Sequence, residues 1–242
     1  MTLETPVINL DLLNENFAFS NDTHRLSFNL GKGGIPVIEI MNAQATAVIS
    51  LQGAHLLSWV PRGEEEVIWL SDDAKFAPAK SVRGGIPICW PWFGAADFER
   101  EANIALPAHG FARTVFWKVI DTQQFESGET QITFQLDTTT LSINTEEMWQ
   151  TPTLETYRIV IGKTLSLELT TLNNSSETFT IGQALHTYFS IGDISEVTVL
   201  GLENKEYLDK KDKPISEFLS NIILTEEPEW KSEERRVRKK RK

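Results

Sequence analysis

The sequence of 242 residues contains one cysteine, Cys89, which excludes an intramolecular disulfide framework. Because Cys89 stands among large apolar neighbours, it is typical of a buried core residue in a protein of the reducing cytoplasm. No apolar run approaches the roughly 20 residues that a membrane-spanning helix needs. Residues 1–10 also lack the basic segment and apolar core of a secretory signal. We therefore expect a cytoplasmic protein with no membrane partner.

The residue sets that bind metals and nucleotides are missing as well. The four histidines have no close pairing in the sequence and no accompanying carboxylate triad, so we predict no metal site. Neither a P-loop nor a dinucleotide-binding glycine fingerprint occurs, and we expect no cofactor. No serine stands in a Gly-x-Ser-x-Gly elbow, although composition alone leaves a Ser–His–Asp hydrolase open.

Charge is distributed unevenly along the chain. The whole sequence carries a formal net charge of −11, but residues 231–242 hold eight basic and two acidic side chains, a net +6. The remaining residues therefore carry −17, and such an acidic body repels nucleic acid at long range. A basic tail of this kind could be a nucleic-acid arm, a nuclear signal, a solvated end or a stretch foreign to the fold. Since the tail lacks apolar periodicity, we expect it to be disordered. Because the body of the protein is acidic, we expect no nucleic-acid partner.

Short segments with β-strand character dominate the rest of the chain. The predicted strands are Pro36–Ile40, Ala47–Leu51, Val67–Leu70, Gln131–Leu136, Thr156–Ile161 and Leu165–Leu172. Gly162 and Lys163 join the last two as a tight hairpin. One short helix is predicted over Leu10–Phe17. Many short strands with frequent turns predict an all-β sandwich or barrel, formed by a single domain over residues 1–230.

The most unusual composition belongs to residues 83–94, which we call the aromatic segment. It reads Arg-Gly-Gly-Ile-Pro-Ile-Cys-Trp-Pro-Trp-Phe-Gly. One interpretation is a stiff aromatic wall with Arg83 at its edge, suited to the apolar face of a sugar and to an anion such as phosphate. The other is an aromatic plug of the core with an arginine at its margin. The sequence leaves both interpretations open.

Three further clusters contain histidines. His55 lies among apolar residues in Leu51–Trp59, where a hydrogen-bonded structural histidine is the favoured interpretation. His109 precedes a glycine, and Arg113 follows it four residues later. His186 interrupts an apolar, β-prone run, so it is either a hydrogen-bonded core residue or an active-site group.

Taken together, these motifs resemble the aldose 1-epimerase superfamily, and more narrowly its hexose-6-phosphate mutarotase branch. The resemblance rests on the segments 83–94, 109–113, 186–189 and 192–194, in that order along the chain, and it includes residues 52–55. It implies a β-supersandwich fold and interconversion of the α and β anomers of a hexose 6-phosphate. A small-molecule sugar phosphate is therefore the expected partner.

The resemblance also implies roles for individual residues. His186 corresponds to the catalytic acid, and His109 to a second polar contact near the ring oxygen of the sugar. Arg83 and Arg113 match positions that hold the substrate, through its phosphate. Histidine titrates in a range that suits the acid of such a reaction.

The C-terminal part departs from the pattern of the family. The resemblance implies further strands and a catalytic glutamate beyond the end of this chain, so we expect a β-supersandwich that lacks its last strands. Near Thr225–Glu229 the expected aspartate–arginine–aromatic pattern is absent, and we assign no role to Glu229. A non-catalytic protein that binds carbohydrate or sugar phosphate therefore remains the alternative.

Overall fold

A computed structural model describes residues 8–96, 106–141 and 148–200. The chain divides after Ser190 into two compact units. Of the second unit, the structure describes residues 191–200, which include the single 3-10 turn Ile194–Glu196. Because residues 201–242 lie outside the described residues, the single domain over 1–230 and the disordered tail over 231–242 remain predictions.

The first unit begins with helix α1, Leu10–Phe17, at the predicted bounds. The side chain of Asn9 caps the helix by accepting a hydrogen bond from the Leu12 N–H at 3.0 Å. Asn14 then connects the helix to the sheet beneath it. Its side-chain amide donates to the carbonyl oxygen of Phe28, and its side-chain oxygen accepts from the Phe28 N–H.

The strands form two larger antiparallel sheets and a short two-stranded one. The first sheet has the order β1-β2-β3-β4-β5, with β1 Phe19–Ser20, β2 Arg25–Leu30, β3 Pro36–Met41, β4 Ala45–Ser50 and β5 His55–Pro61. The second sheet consists of β7 Lys118–Gln124, β8 Thr130–Asp137, β9 Thr153–Ile161 and β10 Leu165–Asn173, in the order β10-β9-β8-β7. In the third, β6 Ile88–Cys89 pairs with β11 Ala184–Leu185. Single 3-10 turns lie at Lys32–Gly34 and Thr138–Thr140.

The two larger sheets pack through one shared hydrophobic core. Alternate residues of β9, the second strand from one edge of its sheet, are fully buried from Thr153 to Ile161. The core combines the inward faces of both sheets with the aromatic segment. Its largest side chains include Leu26, Phe28, Ile38, Ile49, Ile132, Phe134, Tyr157, Trp90 and Trp117. This arrangement is the sandwich that the strand-rich sequence predicts.

Most predicted strands occur within a few residues of their expected bounds, but Val67–Leu70 does not form a continuous strand. Ile68 and Leu70 make isolated bridges to Phe189 and Gly84 instead. The segment lies between two irregular stretches and bonds to each in turn, so regular pairing with one neighbour cannot develop. The tight hairpin after β9 is confirmed, since Leu165 pairs with Ile161.

Strand β10 forms an edge of the second sheet. It shows the predicted period of two, but its inward-facing Leu165, Leu167 and Leu169 are half-buried rather than buried. Within the part of the chain that the structure describes, no helix has the length and apolar character required to cross a bilayer.

Candidate active site

The candidate site is built on a ladder between the aromatic segment and residues 182–190. At its centre β6 and β11 pair, with Ala184 opposite Cys89. Single backbone hydrogen bonds extend the ladder on both sides of these strands. Gly182 N–H donates to the Pro91 oxygen at 2.9 Å, and His186 N–H donates to the Pro87 oxygen at 3.1 Å. The position of His186 is therefore fixed by its own main chain.

A third segment, residues 106–113, crosses the aromatic segment at Trp90. Gly110 bridges to Trp90 in parallel orientation, and Phe111 N–H donates to the Trp90 oxygen at 3.1 Å. Gly110 has φ of +68°, and a β-carbon at this position would lie 1.9 Å from the Trp90 oxygen. Only glycine permits this close approach, which brings His109 beside the ladder.

His109 is held by a reciprocal pair of hydrogen bonds with Gly94. Its N–H donates to the Gly94 oxygen at 2.6 Å, while its ring Nδ1 accepts from the Gly94 N–H at 3.0 Å. Because Nδ1 accepts, the proton of the neutral imidazole is on Nε2. His109 also has φ of +66°, a left-handed conformation that non-glycine residues rarely adopt. Such strain is concentrated at functional sites.

The rings of four residues meet where these segments converge. His109 and His186 have ring centroids 5.9 Å apart and planes at 81°. Phe93 contacts both histidines, with its centroid 4.9 Å from that of His109 and 6.2 Å from that of His186. On the other side, Tyr188 stacks on His186 at 4.9 Å and 27°. Both histidines are half-buried and Phe93 is 46% exposed, so the cluster faces solvent.

The two predicted arginines occupy different positions around this cluster. Arg113 donates from its guanidinium to the carbonyl oxygen of Ala108, the residue before His109, at 2.6 Å. Its Nε is buried and has no hydrogen-bond partner among the described residues. Arg83 lies at the beginning of the aromatic segment, where its carbonyl oxygen accepts from Ser71 N–H and its side chain is exposed. The structure thus brings His109 and His186 together, with Arg113 bonded to the residue before His109 and Arg83 at the beginning of the aromatic segment.

His55 is the structural histidine that the sequence favours. Its buried ring donates from Nε2 to the Gly84 oxygen at 2.9 Å. Desolvation is the main cause that lowers the pKa of His55 from 6.5 to about 4, a net value that includes the opposing effect of the Gly84 bond and a smaller lowering by the charge of Arg113. The ring is therefore neutral at physiological pH and supports the first turn of the aromatic segment.

The interpretation of the aromatic segment as an exposed wall is wrong for both tryptophans. Trp90 and Trp92 are 0% and 5% exposed and belong to the core, and only Phe93 is turned outward. Their rings pack edge-on against Phe111, which fixes the turn that carries His109. Cys89 is buried as expected, and burial raises the pKa of its thiol.

Two aromatic residues of the site were not singled out from the sequence. Tyr188 extends the stack from His186, and the Trp69 ring lies 5.9 Å beyond it at 34°. Tyr188 follows His186 by two residues, so it could have been found by asking which neighbours share one face of a strand. Among the residues that the structure describes, no three His, Cys, Asp or Glu side chains are grouped to hold a metal ion.

Comparison with known proteins agrees with these motifs. The family model of aldose 1-epimerase matches residues 36–230. The protein of Escherichia coli (strain K12) named "putative glucose-6-phosphate 1-epimerase" is 39% identical over 191 residues, which cover 79% of this chain and 60% of that protein. The protein of the same name from Salmonella typhimurium is 40% identical over a stretch with the same coverage. The chain spans about three fifths of the length of these curated relatives.

Solved structures have the same architecture. The crystal structure of a "putative mutarotase" from Salmonella typhimurium matches with a TM-score of 0.67 at 34% identity, covering 83% of this chain and 63% of that one. A galactose mutarotase-like protein from Lactobacillus casei matches with a TM-score of 0.53 at 22% identity, covering 65% and 51%. The second likeness shows the fold alone, and together they confirm the predicted all-β supersandwich. Since the family model matches most of the sequence, the chain belongs to the aldose 1-epimerase family.

Proposed function

We propose that this protein interconverts the α and β anomers of a hexose 6-phosphate, as a glucose-6-phosphate 1-epimerase. The observation that carries the proposal is the meeting of the His109 and His186 rings, 5.9 Å apart, at a solvent-facing aromatic cluster. The names of the curated relatives support the reaction and the substrate. The lone cysteine of the sequence supports a cytoplasmic location.

The chemistry requires one proton to leave the sugar and another to enter it. A base removes the proton of the anomeric hydroxyl, the bond from C1 to the ring oxygen breaks, and an acid protonates that oxygen. Rotation about the C1–C2 bond of the open aldehyde exposes its other face, and the reverse steps close the ring. No net oxidation occurs, and every proton is returned.

Within this scheme His186 is the acid that protonates the ring oxygen. Its main chain is fixed by the bond to Pro87, and its ring is held between Phe93 and Tyr188. A ring restrained in this way needs little reorganisation before proton transfer. The Nδ1 of His109 accepts from Gly94, which places the proton of its neutral ring on Nε2, and in this scheme that N–H orients the ring oxygen.

The arginines would recognise the phosphate. A guanidinium presents paired donors that match phosphate oxygens. In Arg113 one terminal nitrogen is committed to Ala108, whereas the buried Nε has no hydrogen-bond partner among the described residues. The side chain of Arg83 is exposed, and its bond to Ser71 is made by its carbonyl oxygen and not by its guanidinium, so Arg83 is our second candidate for binding the phosphate.

The second candidate is binding of a sugar phosphate without catalysis. It stays open because the base that the reaction requires has not been assigned to any described residue of the site. The two candidates are separated by saturation-transfer NMR on glucose 6-phosphate mixed with the protein. Transfer between the H1 signals of the α and β anomers at catalytic protein concentrations supports the epimerase. Binding without added transfer would support the second candidate and contradict the first.

A further inference from the structure

Glu155 is a buried carboxyl group that the proposed reaction does not use. It lies in β9 on the face that points into the sandwich, opposite Leu136 of β8 and Thr171 of β10, and it is 0% exposed. One carboxyl oxygen, Oε2, lies 2.9 Å from the hydroxyl of Thr171. The other, Oε1, is buried without a hydrogen-bond partner among the described residues.

Hydrogen-bond counting indicates which protonation state fits. The Thr171 hydroxyl also lies 3.4 Å from the side-chain oxygen of Gln183, and a hydroxyl has only one proton to donate. If Glu155 is ionised, the single proton of the Thr171 hydroxyl can serve only one of the two oxygens, so a bond to Glu155 breaks the contact with the exposed side chain of Gln183. If Glu155 carries a proton, it donates to Thr171, which in turn donates to Gln183, and both contacts are satisfied.

Rotating the Gln183 amide would let Thr171 donate to an ionised Glu155, but this arrangement fits poorly. The carboxylate would then be fully buried with one hydrogen bond, a costly state without a cation beside it. Its cross-strand neighbours Leu136 and Thr171 and its same-face neighbours Thr153 and Tyr157 carry no charge at neutral pH. Tyr157, the titratable group among them, has its own pKa raised by burial.

The proton favoured by this geometry agrees with the electrostatics of the position. Burial raises the pKa of Glu155 from 4.5 to about 7, a net value in which the contact with Thr171 offsets only part of the effect of burial. The protonated acid is therefore populated at and below neutral pH. Deprotonation would remove the donor at the start of the Glu155–Thr171–Gln183 chain.

The chain of hydrogen bonds ends on the segment that carries His186. Gln183 lies between Gly182, which bonds to Pro91, and Ala184, which pairs with Cys89. We propose that Glu155 is a positioning residue, which as a neutral acid anchors this segment through Thr171 and Gln183 and so holds His186 in place. The effect on catalysis rests on the proposed function, but the anchoring itself does not.

The first test measures the anchor directly in the full chain. We would follow the Glu155 carboxyl carbon and the Gln183 and Ala184 amide signals by NMR between pH 4 and 9. The expected result is a Glu155 midpoint near pH 7 and a matching inflection of both amides, which Glu155→Gln abolishes while keeping a donor to Thr171. A Glu155 midpoint near 4.5, or amide inflections that persist in Glu155→Gln, would overturn the proposal.

The second test uses the relay residue and a conservative rescue. Thr171→Val removes the hydroxyl, whereas Thr171→Ser restores it with a smaller side chain. We expect Thr171→Val to abolish the amide inflections and lower kcat for anomer exchange about tenfold with little change in KM, and Thr171→Ser to recover both. Equal amide behaviour in the two variants would contradict the anchor. If the wild-type protein binds glucose 6-phosphate but exchanges no anomers, the proposed function fails, while the amide titrations still decide the anchor.

Discussion

The imidazole rings of His109 and His186 lie 5.9 Å apart, with their planes at 81°. Their proximity is produced by two contacts with one short stretch of backbone. Gly110 crosses Trp90, and His186 N–H donates to the Pro87 oxygen. The buried tryptophans of the aromatic segment therefore act as a platform that determines where the two histidines meet.

The crossing at Gly110 predicts a severe effect of one methyl group. Gly110→Ala would place a β-carbon 1.9 Å from the Trp90 oxygen, and moving that oxygen away would disturb its hydrogen bonds with the Phe111 and Ala112 N–H groups. We expect a loss above about 4 kcal/mol in the free energy of unfolding, within the exceptional class of substitutions. Urea unfolding followed by tryptophan fluorescence measures it.

Gly63→Ala is the matched control for this substitution. Gly63 also has positive φ, +84°, but a β-carbon there has nothing within 4 Å. It should cost only the left-handed strain, about 1–2 kcal/mol. Similar losses of unfolding free energy in the two variants would show that the cost of Gly110→Ala comes from backbone strain and not from the close approach to Trp90.

Recognition of phosphate should depend on Arg83. We expect Arg83→Ala to weaken binding of glucose 6-phosphate by about 1.5–3 kcal/mol, the usual value of a hydrogen bond to a charged group, and to leave glucose binding nearly unchanged. Calorimetric titration with both sugars provides the comparison. Arg62→Ala, which removes an exposed arginine of a turn after β5, is the control. Equal losses for both sugars would mean that Arg83 does not recognise the phosphate.

Glu155 should make the protein less stable as the pH rises. Its pKa in the folded protein, about 7, is above its ordinary value of 4.5, so the folded state is favoured while the group is protonated. Between these two pH values the wild-type protein should lose up to about 3 kcal/mol relative to Glu155→Gln, and the difference should then remain level. Urea unfolding of both proteins at pH 4.5, 6 and 8 tests the sign. A constant difference at all three pH values would contradict it.

Asn42 connects the two sheets at one end of the sandwich. Its amide donates to the Ile161 oxygen at 2.9 Å, and its side-chain oxygen accepts from Ala45 N–H at 2.8 Å. Asn42→Ala would leave these buried groups unpaired, so we expect a loss of about 3 kcal/mol in thermal or urea unfolding. Asn29→Ala, which removes a solvent-facing bond to Glu39, should cost less than 1 kcal/mol by the usual range for surface changes. Equal costs would contradict the inter-sheet role of Asn42.

Local sequence patterns predicted the elements that carry a helix cap, a regular alternation of apolar residues or a turn signal. Helix α1 has its cap at Asn9 and the predicted bounds, and β9 and β10 follow from their period of two and the turn between them. Val67–Leu70 failed because its composition predicts a strand, while its bonds alternate between two irregular neighbours. The periodicity of a segment does not indicate which other segment it will pair with.

The site residues were predicted from the resemblance to a known family and not from the periodicity of the sequence. His109 and His186 were selected through resemblance, and their proximity depends on the long-range crossing at Trp90. Trp90 and Trp92 were harder to assign, because an aromatic run has the same composition in a core and in a sugar-binding wall. Glu155 was overlooked because the predicted strand begins at Thr156, and only the observed strand and its register reveal that Glu155 points inward.

The most direct test of the account is the anomer-exchange rate of His186→Asn. Asparagine keeps a polar side chain at this position but cannot act as the acid, and general acid–base groups typically contribute about 10²–10⁴-fold. Saturation-transfer NMR on glucose 6-phosphate should show a wild-type exchange rate that falls by this factor in the variant, with unchanged unfolding and sugar-phosphate affinity. The control His24→Asn, which makes the same change at a buried histidine before β2, should exchange at the wild-type rate. Wild-type exchange in a folded His186→Asn protein would contradict the central role of His186.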